Sequence, residues 1–293
     1  MNRDVLNLAG RDVLDDSALS ATEFHALLNL ADALDQQAKV HATTPLLEGR
    51  TVACVFEKAS SRTRIALTIA AFRQGAQAMF LDTSSHLGHK ESIDDTVRLL
   101  DATCDAIAYR GAAQSTIERI AALASVPVYN MLTDDWHPTQ MYADMLTMRR
   151  ALGKPLNEVA YAFVGDCRAN VPQSHLVAAA LLGMDIRLIA PRSLQPAAQV
   201  QETAAALAAV SGARITVTDD LAAVEGVDVV HTDVWVSMGE PESAWQERAE
   251  LLRPYRVTTD LLTQTGNAHV RFMHCLPAFH DASTTVGANI AAA

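Results

Sequence analysis

The chain has 293 residues, enough for two domains at roughly 100–200 residues each. Hydrophobic residues make up 49% and charged residues 19%, which excludes wholesale disorder and fibrous or collagen-like classes. Lys plus Arg number 23 against 34 Asp plus Glu, and the resulting net charge of −11 repels nucleic acid and anionic lipid, so a phosphate ligand would need locally placed Arg.

The N-terminal stretch carries acids and bases every few residues and has no apolar core of signal-peptide length. The first helix is expected after Ser20, where S-A-T-E has capping-box form and Phe24, Leu27, Leu28, Ala31 and Leu34 follow at helical spacing. Short apolar runs at Val52–Phe56, Ala76–Leu81, Asp105–Tyr109 and Val126–Tyr129 then alternate with helical stretches, the signature of a parallel sheet with right-handed crossovers. A helix from about Pro138 to Ala151 leads into a second series. Its strands are expected near Ala160–Val164, Ile186–Ala190, Arg214–Val217, Val227–His231 and Val270–His274. The expected fold class is α/β: two domains, 1–150 and 151–293, each a parallel sheet flanked by helices and joined by a helix. The longest uncharged run, 169–184, is too short and polar to span a bilayer. The four cysteines, Cys54, Cys104, Cys167 and Cys275, lie 50, 63 and 108 residues apart, which suits a reduced, cytoplasmic setting better than a disulfide framework.

In open parallel sheets ligands bind beyond the carboxyl ends of the strands, and polar clusters stand at several of those ends. F-E-K-A-S-S-R-T-R, Phe56 to Arg64, runs from a strand into a helix with hydroxyls and two Arg, the makings of an anion site; the bland alternative is an N-cap with a solvated basic turn. It is not a P-loop. Tyr109-Arg110-Gly111 and D-W-H-P-T-Q, Asp135 to Gln140, are weaker signals, since a lone Arg is usually a surface charge and His137 could simply cap a helix. In the second half stand G-D-C-R-A-N, Gly165 to Asn170; T-D-V-W-V-S-M-G, Thr232 to Gly239; and H-C-L-P-A-F-H-D, His274 to Asp281. G-x-G-x-x-G is missing after Val164, which removes the main support for a nicotinamide dehydrogenase. Cys275 could be a nucleophile or inert packing.

In combination, S-S-R-T-R, Y-R-G, H-P-T-Q, T-D-V-W-V-S-M-G and H-C-L-P, with H-L-G-H-K-E-S at His86 to Ser92 and L-L-G-M-D-I-R-L-I-A-P at Leu181 to Pro191, resemble the ornithine carbamoyltransferase family in order and interval over nearly the whole chain. The resemblance implies a carbamoyl-phosphate domain followed by an ornithine domain, transfer of the carbamoyl group to the δ-amine of ornithine to give citrulline and phosphate in arginine metabolism, and no metal or organic cofactor. By motif match, Ser60, Ser61, Arg62 and Thr63 would hold the phosphate, Arg110, His137 and Gln140 the carbamoyl end, and Asn170, Asp233, Ser237 and Met238 the ornithine. Cys275 and Leu276 would sit beside the reacting groups. Arg62, Arg110, His137 and Cys275 are the implied catalytic set. The implied assembly is a trimer or a multiple of trimers, with His86 lent by the neighbouring subunit.

Departures from the family pattern are mild in S-S-R-T-R, where a hydroxyl is kept, and in Ala169-Asn170, where the second Asn of the usual pair survives. The family continues past H-C-L-P-A-F-H-D to a helix returning to the first domain, with a further Arg; the sequence given stops at Ala293, so that helix is expected to be missing from it. Two other readings fit the same residues. One is a sister enzyme acting on putrescine, acetylornithine or aspartate, and the other is a non-catalytic ligand-binding homologue.

Overall fold

The computed structural model describes residues 8–58, 60–82, 91–236, 243–279, 281–284 and 287–288. The chain divides into two compact units, Met1–Leu146 and Thr147–Ala293.

The first unit opens with α1 (Ala21–Lys39), whose start is fixed by the capping box expected from the sequence. The Ser20 hydroxyl accepts from Glu23 N at 3.3 Å while Glu23 Oε2 accepts from Ser20 N at 2.8 Å. Phe24 and Leu28, one turn apart, are buried. Four parallel strands follow: β1 (Thr51–Phe56), β2 (Gln77–Asp82), β3 (Ala106–Arg110) and β4 (Val128–Leu132), in the spatial order β2-β1-β3-β4. They are linked by α2 (Ser61–Arg73), α3 (Ile93–Thr103) and α4 (Gln114–Leu123). Strand alternation puts Ala53, Val55, Ile107 and Tyr109 on one face, packed with Val97 and Leu100 of α3 and Ile117 and Ile120 of α4. Cys54, Phe56, Ala108 and Met131 pack together in a separate cluster.

α5 (Pro138–Leu152) contains the division between the units, after Leu146. The second unit has five parallel strands: β5 (Ala160–Val164), β6 (Asp185–Ile189), β7 (Arg214–Thr218), β8 (Val229–Thr232) and β9 (Arg271–His274), in the order β7-β6-β5-β8-β9. Its helices are α6 (Asn170–Leu182), α7 (Ala198–Ser211), α8 (Ser243–Leu252) and α9 (Thr259–Gln264). α6 is almost wholly buried, Gln173, Ser174 and His175 included, which explains why the run is uncharged. Among the described residues no helix is long and apolar enough to cross a membrane.

The α/β class with two parallel sheets and flanking helices is as expected from the alternating pattern. Strand bounds differ by a residue or two, for local reasons. The fourth strand begins at Val128 rather than Val126 because Pro127 has no N–H to donate and Val126 N is taken by Asp101 Oδ1 at 3.0 Å. Between β7 and β8 the expected alternation lapses: the only helical element there is the short 3-10 turn Leu221–Val224.

Candidate active site

In both sheets the chain first winds outward one way and then returns to wind the other way. The reversal falls between β1 and β3 in the first unit and between β5 and β8 in the second. Such switch points open a crevice at the carboxyl ends of the two strands, where ligands of open α/β sheets bind.

At the first switch point Phe56 pairs with Arg110. Beyond Phe56 the chain turns into α2 with Ser60 as N-cap, its side chain accepting from Thr63 N at 3.4 Å. The first turn of α2 holds no acid, and Ser61 and Arg62 are exposed there. Arg110 is only 6% exposed and donates from Nη1 to Thr63 Oγ1 at 3.1 Å. A buried guanidinium, a helix N-terminus and an exposed Arg62 therefore belong to the same strand-end edge of the first sheet. Arg64 is turned aside, its guanidinium 4.6 Å from the centre of the Phe80 ring.

The turn after β3 is braced from β1. Glu57 N donates to Arg110 O at 2.8 Å, and Ala112 N donates to Glu57 Oε2 at 3.3 Å. Lys58 pairs with Asp134 at 2.6 Å. Gly111 has no alternative here, because a Cβ would run into the Tyr109 hydroxyl and lie 2.5 Å from Glu57 Oε2. β4 lies beside β3, and the chain leaving it reaches His137 and then α5. Gln140 N donates to His137 O at 3.0 Å, the His137 Nδ1 stands 3.5 Å from Thr139 Oγ1, and Gln140 Nε2 donates to Asp144 Oδ1 at 3.0 Å.

At the second switch point Thr232 Oγ1 donates to Val164 O at 2.6 Å, stitching β8 to β5. Gly165 follows with φ +143°, and a Cβ there would come 3.4 Å from that same hydroxyl oxygen. Asn170 opens α6 behind an N-cap, Ala169, that makes no side-chain cap bond. Asp233 leaves β8 beside β9, where Cys275 Sγ donates to Asp233 Oδ1 at 3.2 Å and Leu276 N donates to His274 Nδ1 at 2.9 Å. Asp233, His274 and Cys275 bring donor atoms within 4.8 Å of one another, as metal ligands do, and the hydrogen bond accounts for two of the three. Leu276 is 52% exposed with φ +61°.

Of the residues expected from the sequence, Ser60, Ser61, Arg62, Thr63, Arg110, His137 and Gln140 belong to the strand-end edge of the first sheet. Asn170, Asp233, Cys275 and Leu276 belong to that of the second. His86, Ser237 and Met238 lie outside the described residues. The cysteines separate by burial: desolvation pushes Cys54 up to about 12 and Cys167 well above the ordinary thiol range, so neither is a nucleophile at neutral pH, whereas Cys275 is half-buried.

The motifs missed one group. Asp166, its side chain 8% exposed, receives Arg168 Nε at 3.1 Å and Nη2 at 2.9 Å, and also pairs with Arg248 from α8. Arg168 shares the motif G-D-C-R with Asp166, but Arg248 lies 82 residues from Asp166, inside a helix with no local signature.

Two family models match the chain in succession: the aspartate/ornithine carbamoyltransferase carbamoyl-P binding domain over residues 11–150, and the Asp/Orn binding domain of the same family over residues 157–289. The chain belongs to the aspartate/ornithine carbamoyltransferase family. A catabolic ornithine carbamoyltransferase of Rhizobium meliloti (strain 1021) is 48% identical over 97% of this chain and 86% of its own length. An ornithine carbamoyltransferase of Actinobacillus pleuropneumoniae serotype 5b (strain L20) is 49% identical over the same shares. Among solved carbamoyltransferases, the ornithine carbamoyltransferase from Pyrococcus furiosus superposes with a TM-score of 0.90 at 36% identity, over 94% of this chain and 88% of that one. The anabolic ornithine carbamoyltransferase from Campylobacter jejuni gives 0.85 at 32% identity, over 92% and 86%. In this carbamoyltransferase chain, the carbamoyl-P binding match holds the Ser60–Thr63 and Arg110 cluster, and the Asp/Orn binding match holds Asp233 and Cys275.

Proposed function

We propose that this chain transfers the carbamoyl group of carbamoyl phosphate to the δ-amine of L-ornithine, releasing L-citrulline and phosphate. The observation that carries the reading is the anion cradle of the first switch point, where buried Arg110 reaches Thr63 in the first turn of α2 beside Ser60, Ser61 and Arg62. The curated relatives described above are named ornithine carbamoyltransferases, which supports ornithine as the acceptor.

The chemistry follows from the groups. Carbamoyl phosphate is a dianion, and the α2 N–H groups with Arg62 neutralise its phosphate. Arg110 and His137, with Gln140, donate to the carbamoyl oxygen as negative charge develops on it; losing one such donor costs about 2.7–4 kcal/mol in the transition state. The neutral δ-amine attacks the carbonyl carbon, the C–O bond to phosphate breaks, and the amine gives up a proton. Asp233 orients the amino-acid end with Asn170, Ser237 and Met238, while Cys275 and Leu276 flank the reacting atoms. Because the amine must be neutral, the rate rises toward alkaline pH. Residues 1–150 are the carbamoyl-phosphate domain and 151–293 the ornithine domain.

The working form is a trimer or a multiple of trimers, with His86 completing a neighbour's site. Its support is the exposed apolar stripe of α2: Ile65, Ile69 and Phe72 are 58%, 44% and 81% exposed at helical spacing, on the helix that carries the phosphate cluster. The four free cysteines support a reducing cytoplasm.

The test is citrulline formation from carbamoyl phosphate and ornithine by the parent chain and by Arg62→Ala. The expected result is turnover by the parent, with loss of both activity and thermal stabilisation by carbamoyl phosphate in the variant. Absence of citrulline from a parent that binds both ligands would leave a binding protein.

A further inference from the structure

Arg248 reaches two places at once. From α8 its Nη1 pairs with Asp166 at the end of β5, and the same nitrogen lies 3.4 Å from the carbonyl oxygen of Trp235, two residues past Asp233. The guanidinium and carboxylate side chains are 12% and 8% exposed, so this ion pair is sheltered from water on both sides. α8 is held at a second point, where Trp245 packs edge-on against Phe279, their ring centres 6.1 Å apart, four residues beyond Cys275. One helix thus fastens both stretches that leave β8 and β9 with Asp233 and Cys275.

We infer that Arg248 is a positioning residue for the amino-acid acceptor, tying the 233–235 stretch to Asp166 so that the Asp233 carboxylate is set before the acceptor arrives. A desolvated pair is well suited to this work. Its partner cannot relax into solvent when the tie is cut, and among the described residues Arg168 bonds to Asp166 within its own turn, whereas Arg248 bonds to Trp235 as well. Preorganised polar groups bind a ligand without a fresh ordering cost, and small misplacements of a positioned group cost much of its effect. The inference rests on the proposed transfer to ornithine, because it takes Asp233 as the acceptor's contact.

The test compares the parent with Arg248→Met and Arg248→Lys in the full chain. Arg248→Met is expected to raise the KM for ornithine about tenfold while the KM for carbamoyl phosphate stays within about twofold of the parent. Arg248→Lys keeps a charge beside Asp166, but its shorter side chain cannot carry a nitrogen to the place where Nη1 meets both Asp166 and Trp235, so it should recover the melting temperature and only part of the ornithine KM. Equal rises for both substrates, or a lower melting temperature with both KM values unchanged, would mean a purely structural pair and overturn the inference. Should Arg248→Met fail to fold, Arg248→Lys decides: a rise for ornithine alone supports the positioning role, and a parent-like ornithine KM removes it. A parent that makes no citrulline overturns the proposed reaction and this inference together, whereas normal parent turnover with an unaltered ornithine KM in both variants overturns the inference alone.

Discussion

Arg110 and Gly111 show how much of a site hangs on a single turn. Arg110 is aimed at Thr63 because its own carbonyl is held by Glu57 N and the next turn by Glu57 Oε2. Gly111→Ala drives a methyl into the Tyr109 hydroxyl, and Tyr109 is fully buried and cannot step aside. A loss of about 1–3 kcal/mol is expected from such overpacking, read as a lower melting temperature, together with weaker carbamoyl-phosphate binding. A variant as stable and as tight-binding as the parent would show that the turn has room. The thiols give a second residue-scale test: in the native protein one thiol, Cys275, should react with Ellman's reagent, while Cys54, Cys104 and Cys167 wait for denaturant. Norvaline, an ornithine analogue without the δ-amine, should slow that reaction. Legibility at this scale was uneven. S-S-R-T-R suggests an anion site by composition, with a capped, solvated basic turn as the alternative, but a lone Arg in Y-R-G reads as a surface charge, and only the fold shows it to be buried. Arg248 was invisible because its partners, Asp166 and Trp235, are brought to it by topology and not by spacing.

Elements were more legible than sites, because caps and periodicity are local physics. The S-A-T-E box that marks the start of α1 is present with both of its bonds, and Ser20→Ala should cost about 1 kcal/mol of stability. Where a strand edge depends on a distant side chain, the sequence falls silent, as at β4. Asp101, at the far end of α3, collects Ser125 N at 2.5 Å and Val126 N at 3.0 Å. These two backbone bonds hold its carboxyl below the ordinary value of 3.8, outweighing a small opposing effect of burial, with the Ser125 hydroxyl helping. A carboxyl lowered in the folded state stabilises the fold above its unfolded pKa, and that contribution fades as the pH falls through the lowered folded value. Asp101→Asn should therefore melt lower than the parent at pH 7, and the gap should close in acid, below the unfolded value of about 3.8. A gap independent of pH would assign the effect to lost packing.

For the molecule as a whole, charge and surface point in different directions, and the conflict is informative. A net charge of −11 keeps copies of the chain apart, yet α2 buries only Ala71 within its own unit and leaves Ile65, Ile69 and Phe72 to water. The alternation of strands and helices made the two sheets readable in advance. It could not reveal this stripe, because α2 has too few buried positions for a periodic pattern to stand out. An isolated exposed Phe needs no explanation, but three large apolar side chains along one helix mark a surface meant to be covered. In the proposed trimer the cover is another copy, and the helix that begins with Ser61 and Arg62 is then held from outside as well as from its own sheet. Phe72→Glu adds a charge at the most exposed of the three and should shift the parent's assembly toward monomer in size-exclusion chromatography with light scattering. Activity should fall with the assembly and return in part as protein concentration is raised, since mass action restores the contact. A Phe72→Glu chain with the parent's size and activity would place the subunit interface elsewhere on the molecule.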